Sequence, residues 1–485
     1  MMNVKAISLD VGKALQVNAL FMLLSLGVSV VYGLDSGFTP LLISFLITSI
    51  AGFFPMIFAK DAQQETTQDG FITIVVSWLL SFIFGMLPYV LWGGEFTLMN
   101  AWFESVSGYT TTGSTILTDI EALPKSLLMW RSSTHYIGGL GVIIFLLMVL
   151  PDTSPFKLKL SHLELSSIAK EGYRYKSGKT VRVITLTYAG LTAAEFVCLW
   201  IAGMGPFDAL NHSFSTIATG GFSTRNASIA YYDSNAINII LMIFMTLASM
   251  HFGVIYATIA TRSFKPLKHS ITKYYILVIL VLSALATFSL CVQGDMKLSN
   301  ALMDGSFQVI SFISTTGFGQ SDNAAWPVMA NAILMMAAIH CGCSGSTTGG
   351  IKADRVYIAL KALAGDLRKR LAPSSIIRTR VGEACVAEET VASIFLYIVL
   401  YMVVMFLSFV VVLLCGVDIA DAFSGTLASL GNVGPGLGTL GTLGNYASQP
   451  EAAKFIYTLD MFLGRLEIFP ILVVMSLILR KAVQK

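Results

Sequence analysis

Apolar stretches long enough to cross a bilayer recur from one end of this 485-residue chain to the other. They fall at about 14–33, 37–59, 70–93, 126–150, 181–203, 234–261, 273–293, 326–364, 390–416 and 453–480. A bilayer's hydrocarbon core needs roughly 20 apolar residues in a helix, and each stretch meets that length. Backbone groups inside lipid must be satisfied within the protein, which leaves helices and closed barrels as spanning structures. Unbroken apolar stretches of this length point to helices. The chain is 55% hydrophobic and only 12% charged, against about 25% charged in a soluble domain. Disordered, fibrous and ordinary cytosolic enzyme classes are thereby excluded. The expected fold class is an all-α polytopic membrane protein with ten transmembrane helices.

Lys and Arg set the orientation. With both termini in the cytoplasm, the cytoplasmic segments hold 23 of the 31 basic residues: Lys5, Lys13, Lys60, seven in 157–182, four in 262–273, six in 361–380, and Arg480, Lys481 and Lys485. The opposite segments hold Lys125, Arg225, Lys297 and Lys454 against about a dozen acidic residues. An acidic outer face raises the local concentration of cations. The first stretch has no A-x-A-like cleavage site and reads as a retained span. Cys198, Cys291, Cys341, Cys343, Cys385 and Cys415 form no metal-ligand pattern and read as packing residues.

Four shorter segments, near 100–111, 208–219, 304–315 and 421–431, are too short to span and suit re-entrant helices. They end in Thr111-Thr112-Gly113, Thr219-Gly220-Gly221, Thr315-Thr316-Gly317 and Asn432-Val433-Gly434. With the four glycines aligned, Asn100, Asp208, Asp304 and Asp421 stand thirteen residues before, and Ser107, Ser215, Ser311 and Ala428 six before. The glycines are 108, 96 and 117 residues apart, and each is flanked by one span before and one after. The unit is therefore span, short helix, glycine turn, span, repeated four times in one orientation behind two extra spans. The Asn and Asp residues are expected to be N-caps, the small residues to allow close helix approach, and the glycines to permit a turn that a Cβ would hinder. Four parallel copies imply pseudo-fourfold symmetry, with four turns converging on one axis. Backbone carbonyls gathered in that way form a cation selectivity filter.

These residues carry a resemblance. The chain resembles the Trk/Ktr/HKT superfamily of potassium transporters over essentially its whole length. The diagnostic segments are SGYTTTGST at 107–115, STIATGGFST at 215–224, ISTTGFG at 313–319 and SLGNVGPG at 429–436. HYIGGLG at 135–141, the run Gly342 to Gly350 with Ile351-Lys352, and Gly464-Arg465-Leu466-Glu467 match further. The two extra N-terminal spans favour the bacterial TrkH branch over the shorter Ktr subunits. The resemblance implies a K⁺ filter built from Thr110, Thr111, Thr112 and Gly113; Thr219, Gly220 and Gly221; Thr315, Thr316 and Gly317; and Asn432, Val433 and Gly434, with K⁺ as the metal held by backbone carbonyls. Asn432-Val433 departs from the Thr-Thr-Gly form and weakens the equivalence of the fourth site. In plant members, Ser at the first glycine position goes with Na⁺. Gly at all four positions here favours K⁺, with Rb⁺ as a surrogate. The resemblance also implies a homodimer in the bacterial inner membrane, and a cytosolic TrkA-type nucleotide-binding ring docked on the basic face.

The span at 326–364 is interrupted by Gly342-Cys343-Ser344-Gly345-Ser346-Thr347-Thr348-Gly349-Gly350. Such a run is a poor helix interior, and its freed backbone groups need a polar or protein-lined surround. It reads as an intramembrane loop acting as a gate through Gly345, Ser346, Thr347, Thr348, Gly349 and Gly350; a packed kink and an ordinary interhelical loop are the alternatives. Arg465 stands among apolar residues of the last span, where a lone cation costs roughly 2.5–3.5 kcal/mol on insertion scales. It is either a fixed charge that raises the barrier for K⁺, as the family's arginine near the constriction implies, or a structural residue bound to backbone carbonyls. Lys352, Asp354 and Arg355 are expected to mark where the chain reaches the cytoplasm. The histidines, His135 and His340 among them, read as hydrogen-bonded packing residues.

The expected organisation is an N-terminal two-helix domain (1–66) and four repeats (67–155, 175–265, 270–370 and 385–485). No nucleotide, protease or hydrolase motif is present, so an enzymatic reading lacks residues to carry it. Regulation by a nucleotide, NAD or ATP, would need a separate chain, since the longest cytoplasmic loops are too short for a binding domain. No cofactor and no nucleic-acid partner is expected. A Na⁺-permeable protein of the same fold, or a proton- or Na⁺-coupled symporter, is the alternative function. Coupled carriers usually show inverted repeats, whereas these are parallel.

Overall fold

The computed structural model describes residues 3–58, 66–149, 177–374, 378–382 and 384–483. Lys60, Lys485 and most of the basic cluster at 157–182 lie outside the described residues. The chain begins with α1 (Val4–Val31) and α2 (Phe38–Phe58), which pack together. The first repeat comprises α3 (Thr67–Gly85), α4 (Leu87–Trp92), the short α5 (Leu98–Tyr109) and α6 (Lys125–Val149). The second comprises α7 (Ser177–Ile201), the short α8 (Pro206–Ile217), α9 (Asn235–Ala248) and α10 (Phe252–Thr261). The third has α11 (Ser270–Val292), the short α12 (Leu298–Ile313), α13 (Val328–His340) and α14 (Ala353–Leu371). The fourth has α15 (Glu388–Leu414), the short α16 (Ile419–Gly431), α17 (Glu451–Arg465) and α18 (Phe469–Val483). A two-residue antiparallel pair, Arg380–Val381 with Ala384–Cys385, precedes α15.

Among the described residues, six helical stretches are long and apolar enough to cross a membrane, and the pair α9 and α10 makes a seventh. Their outward faces are apolar, as lipid requires: Leu396, Val399, Phe406 and Leu407 of α15 are all exposed. Within each unit the short helix packs between the helix before it and the helix after it. The helix after it also packs on the short helix of the next unit: α6 on α8, α9 on α12, α13 on α16, and α17 back on α5. The fourth unit therefore touches the first, and the short helices are enclosed toward their C-terminal ends. Their residues near the turns are fully buried, from Val106 to Thr112 in the first unit and from Leu427 to Val433 in the fourth, apart from traces.

Three sequence expectations need correction. The aligned Asn and Asp residues are not N-caps. Thr97 and Asp418 cap α5 and α16 with their side chains, Gly205 precedes α8, and Asp304 lies within α12. Asn100, Asp208 and Asp421 sit a turn inside their helices, and their side chains serve the loops instead. Asp208 accepts from Thr224 and Arg225, Asp421 from Thr439, and Asn100 from Lys454. The stretch 234–261 is not one helix: α9 and α10 meet at 102°. The stretch 453–480 is also divided, because Glu467 and Ile468 both have left-handed backbone (φ 59°) between α17 and α18.

Candidate functional site: four backbone turns and a buried loop

The turns that end the four short helices share one backbone. Thr111, Thr219, Thr315 and Asn432 have φ between 52° and 55°, and Gly113, Gly221, Gly317 and Gly434 have φ between 78° and 98°. In each, the residue before the glycine donates to the carbonyl six before that glycine: Thr112 to Ser107 (3.0 Å), Gly220 to Ser215 (2.8 Å), Thr316 to Ser311 (2.9 Å) and Val433 to Ala428 (2.8 Å). A β-branched residue at positive φ is an outlier costing about 1–3 kcal/mol, and such outliers collect at functional sites. Asn enters this region more readily than Thr. The fourth turn thus departs in sequence while keeping the backbone of the other three.

The turns also touch one another in cyclic order. A Cβ on Gly113 would strike the carbonyl oxygen of Gly220; on Gly221, that of Thr316; on Gly317, that of Val433; and on Gly434, that of Thr112. Each glycine is needed because the next turn's carbonyl occupies the space a side chain would take. Asn432 adds a side-chain link from the fourth turn to the first, donating to Thr112 Oγ1 at 3.0 Å. All four glycines line one cavity. The small residues six before do more than admit close packing. Ser107 Oγ donates to the Ser114 carbonyl (2.6 Å) and Ser311 Oγ to that of Phe318 (2.8 Å), tying the returning strand to the helix. Ser215 instead meets His135 Nδ1 at 3.0 Å.

Glu104 and Arg131, which the sequence reading passed over, brace the first turn. Both are almost fully buried and pair at 2.8 Å. Glu104 also accepts from Thr115 Oγ1 (3.0 Å) and Ile116 N (3.1 Å), and Arg131 donates to the Ser223 carbonyl of the second unit (3.2 Å). Their signal was a charge of each sign inside segments otherwise nearly free of charge. Removing one partner strands the other in the interior, at a cost of about 3–5 kcal/mol. Arg131→Met is expected to lower the unfolding temperature and yield sharply, read by size-exclusion chromatography after a heating series. A variant as heat-resistant as wild type would show that the pair contributes little. Arg225 likewise draws in Asp208 (2.9 Å) and Glu121 (3.4 Å), so part of the loops' acidity is already neutralised.

The Gly-, Ser- and Thr-rich run separates α13 from α14 as a buried, non-helical loop. It is fastened by other units. Cys343 N donates to the Ser249 carbonyl (2.8 Å), and Phe252 N to that of Gly345 (3.2 Å), so the loop occupies the break between α9 and α10. Thr347 Oγ1 donates to the Ile217 carbonyl (3.1 Å), and Gly349 N to Thr315 Oγ1 of the third turn (3.4 Å). Tyr397 OH donates to the Gly350 carbonyl at 3.4 Å. The loop therefore lies directly against the turns.

Arg465 ends α17 beside this loop and is 2% exposed. Its guanidinium donates to the carbonyls of Thr347 and of Gly138 (3.2 Å), and among the described residues Nε lacks a partner and no carboxylate pairs with it. Glu467 faces away from it. Its carboxylate takes Lys352 (2.6 Å) and Arg355, joining the start of α14 to the break before α18. Lys352 and Arg355, at the start of α14, are thus partners of Glu467 in a largely buried cluster. His340 bonds Tyr274 OH and the Cys341 carbonyl, both at 3.0 Å, and His135 stacks on Phe222, as expected of packing residues. Cys341 and Cys343 are buried free thiols, and among the described residues no three His, Cys, Asp or Glu side chains gather as a metal site would need.

Apolar helices closed around four buried backbone turns define a polytopic membrane protein of the transport class. The chain belongs to the TrkH family of cation transport proteins, whose sequence model matches residues 40–483. The Trk system potassium uptake protein TrkH of Salmonella typhimurium is 33% identical over 422 residues, covering 86% of this chain and 87% of its own. The protein of the same name from Vibrio parahaemolyticus is 30% identical over 490 residues, covering 98% and 99%. The crystal structure of the potassium transporter TrkH from Vibrio parahaemolyticus superposes with a TM-score of 0.86, at 29% identity, covering 98% of each chain.

Proposed function

We propose that this chain takes up K⁺ across the bacterial inner membrane through a filter formed by its four turns. The observation that carries the proposal is the cyclic contact of four turns with one shared backbone conformation. Carbonyls of Thr110, Thr111, Thr112 and their counterparts in the other units replace the hydration shell of the ion, and Rb⁺ follows the same path. The architecture is read as ten spans and four re-entrant helices with pseudo-fourfold symmetry, in the domain boundaries expected from the sequence and with both termini cytoplasmic. The relatives named as potassium uptake proteins support K⁺ as the ion. A homodimer and a TrkA-type cytosolic ring, which binds the nucleotide, complete the assembly in this reading.

The loop at 345–350, with Arg465, acts as the gate. Its support is position: it is bonded to the third turn on one side and to Arg465 on the other. The function is tested with purified protein in liposomes, by K⁺ and Rb⁺ flux with and without imposed Na⁺ or pH gradients. Flux that follows the K⁺ gradient alone supports conduction; flux that requires the Na⁺ or pH gradient replaces it with symport. Deleting Ser346-Thr347-Thr348 is expected to raise K⁺ flux in the absence of any cytosolic partner. Basal flux in a folded deletion variant would remove the loop from gating.

A further inference from the structure

The cavity lined by the four turn glycines, of about 60 Å³, is closed in by the loops that follow the turns. Among the described residues its wall carries two charged side chains, Arg131 and Arg225, and both are cationic. That is an unusual lining for the mouth of a cation path. Arg131 is matched one to one by Glu104, and both are sealed from solvent. Arg225 differs. Its side chain is 24% exposed and is shared between Asp208 of its own unit (2.9 Å) and Glu121 of the first unit (3.4 Å), which is itself 39% exposed.

Arg225 is held in place from several sides. Its guanidinium lies over the Tyr231 ring at 4.1 Å, and its backbone N donates to Ser223 Oγ at 3.1 Å. The next residue, Asn226, donates to Asp119 (2.8 Å) and to Glu121 (3.3 Å) and accepts from Ile120 N (2.6 Å). Neither Asp208 nor Glu121 lines the cavity. A cation in the cavity therefore has the guanidinium on the wall and the carboxylates off it. Coulomb energy falls with distance, so the nearer charge weighs more than the farther ones. A charge at a mouth sets the local concentration of ions there, and with it the ease of loading. We propose that Arg225 sets the K⁺ concentration at which the turns fill: its fixed positive charge holds loading affinity down, and Glu121 trims its strength.

The full chain is reconstituted in liposomes and the K⁺ dependence of flux is recorded. The inference rests on the reading of the turns as a K⁺ path, and saturable flux through the wild-type protein checks that reading first. Arg225→Gln is expected to lower the KM for K⁺ by about threefold with the saturated flux little changed, since one charge at a water-filled mouth acts on the scale of thermal energy. Glu121→Gln breaks the same ion pair but removes a negative charge, and is expected to raise the KM by about twofold from its place off the wall. The double variant restores the net charge and is expected to return close to the wild-type KM. Both single shifts should fade as choline chloride raises the ionic strength from about 0.01 M to about 1 M, where the Debye length falls from about 30 Å to about 3 Å. A residue that only ties the loops together gives another pattern: both single variants move the KM the same way, the double variant moves it furthest, and salt leaves the shifts in place. That pattern, or KM values unmoved in variants that carry K⁺, overturns the inference. Should Arg225→Gln fail to fold, Glu121→Gln decides alone: a salt-sensitive rise in KM supports the inference, and no change or a fall overturns it. A wild-type protein without K⁺ flux removes the transport reading and the inference with it.

Discussion

Arg465→Ala is expected to conduct K⁺ faster than wild type, by about tenfold or more per reconstituted protomer. A guanidinium keeps its charge at any physiological pH. Two unit charges 4 Å apart interact by about 4 kcal/mol at an effective dielectric of 20, and tenfold in rate needs only about 1.4 kcal/mol. Arg465 is buried, has no carboxylate partner among the described residues, and holds the Thr347 carbonyl of the loop. In the proposed reading its loss removes a repulsive charge and frees the loop in one step. Both changes act in the same direction. Arg465→Lys keeps the charge and is expected to stay near wild type. The measurement is K⁺ flux in liposomes at matched protein content. Equal or slower flux in the alanine variant, at equal yield, would make Arg465 a structural clasp between Thr347 and Gly138.

Gly113→Ser is expected to reduce the K⁺/Na⁺ flux ratio by about tenfold, an energetic change of about 1.4 kcal/mol between the two ions. The position has φ 83°, which L residues rarely adopt, and its Cβ would meet the Gly220 carbonyl. The serine can be accommodated only if the neighbouring turn moves, which displaces a carbonyl of the proposed ion path. Because the contacts are cyclic, Gly221→Ser, Gly317→Ser and Gly434→Ser should each disturb the next turn in the same way. A well-folded Gly113→Ser protein with an unchanged flux ratio would remove Gly113 from the filter.

The turns were legible in the sequence because the repeat preserves what backbone geometry demands. The glycine recurs where the next carbonyl leaves no room, and a small residue recurs six before it. The departure at Asn432-Val433 weakened the expected equivalence of the fourth turn, because residue identity was the visible quantity. Backbone conformation is what the site conserves, and Asn satisfies positive φ at least as well as Thr. The Gly-rich loop was legible for the same reason, as a run unsuited to a helix.

The two other breaks were not legible. Between α9 and α10 the chain reads Ser249-Met250-His251, and between α17 and α18 Leu466-Glu467-Ile468; neither break contains glycine or proline, and the flanking Gly253, Gly464 and Pro470 stand inside the helices. These breaks are imposed by tertiary partners: Ser249 by the loop's Cys343, and Glu467 by Lys352 and Arg355. Hydropathy records how apolar a stretch is and says nothing of a distant hydrogen bond. Helix starts failed on a similar ground. Asp208 and Asp421 are acidic residues near a helix N-terminus, where the dipole favours them, but their side chains bond the loops beyond the turns.

The central claim is that monovalent cations sit on the axis ringed by Gly113, Gly221, Gly317 and Gly434. Crystals of the purified protein grown in Rb⁺, with anomalous diffraction recorded at the rubidium edge, test it most directly. The expected result is Rb⁺ density within the ring, bounded by the carbonyls of the four turns, which K⁺ displaces in competition and Na⁺ at equal concentration does not. Rb⁺ absent from the ring, in protein that transports Rb⁺ in liposomes, would contradict it.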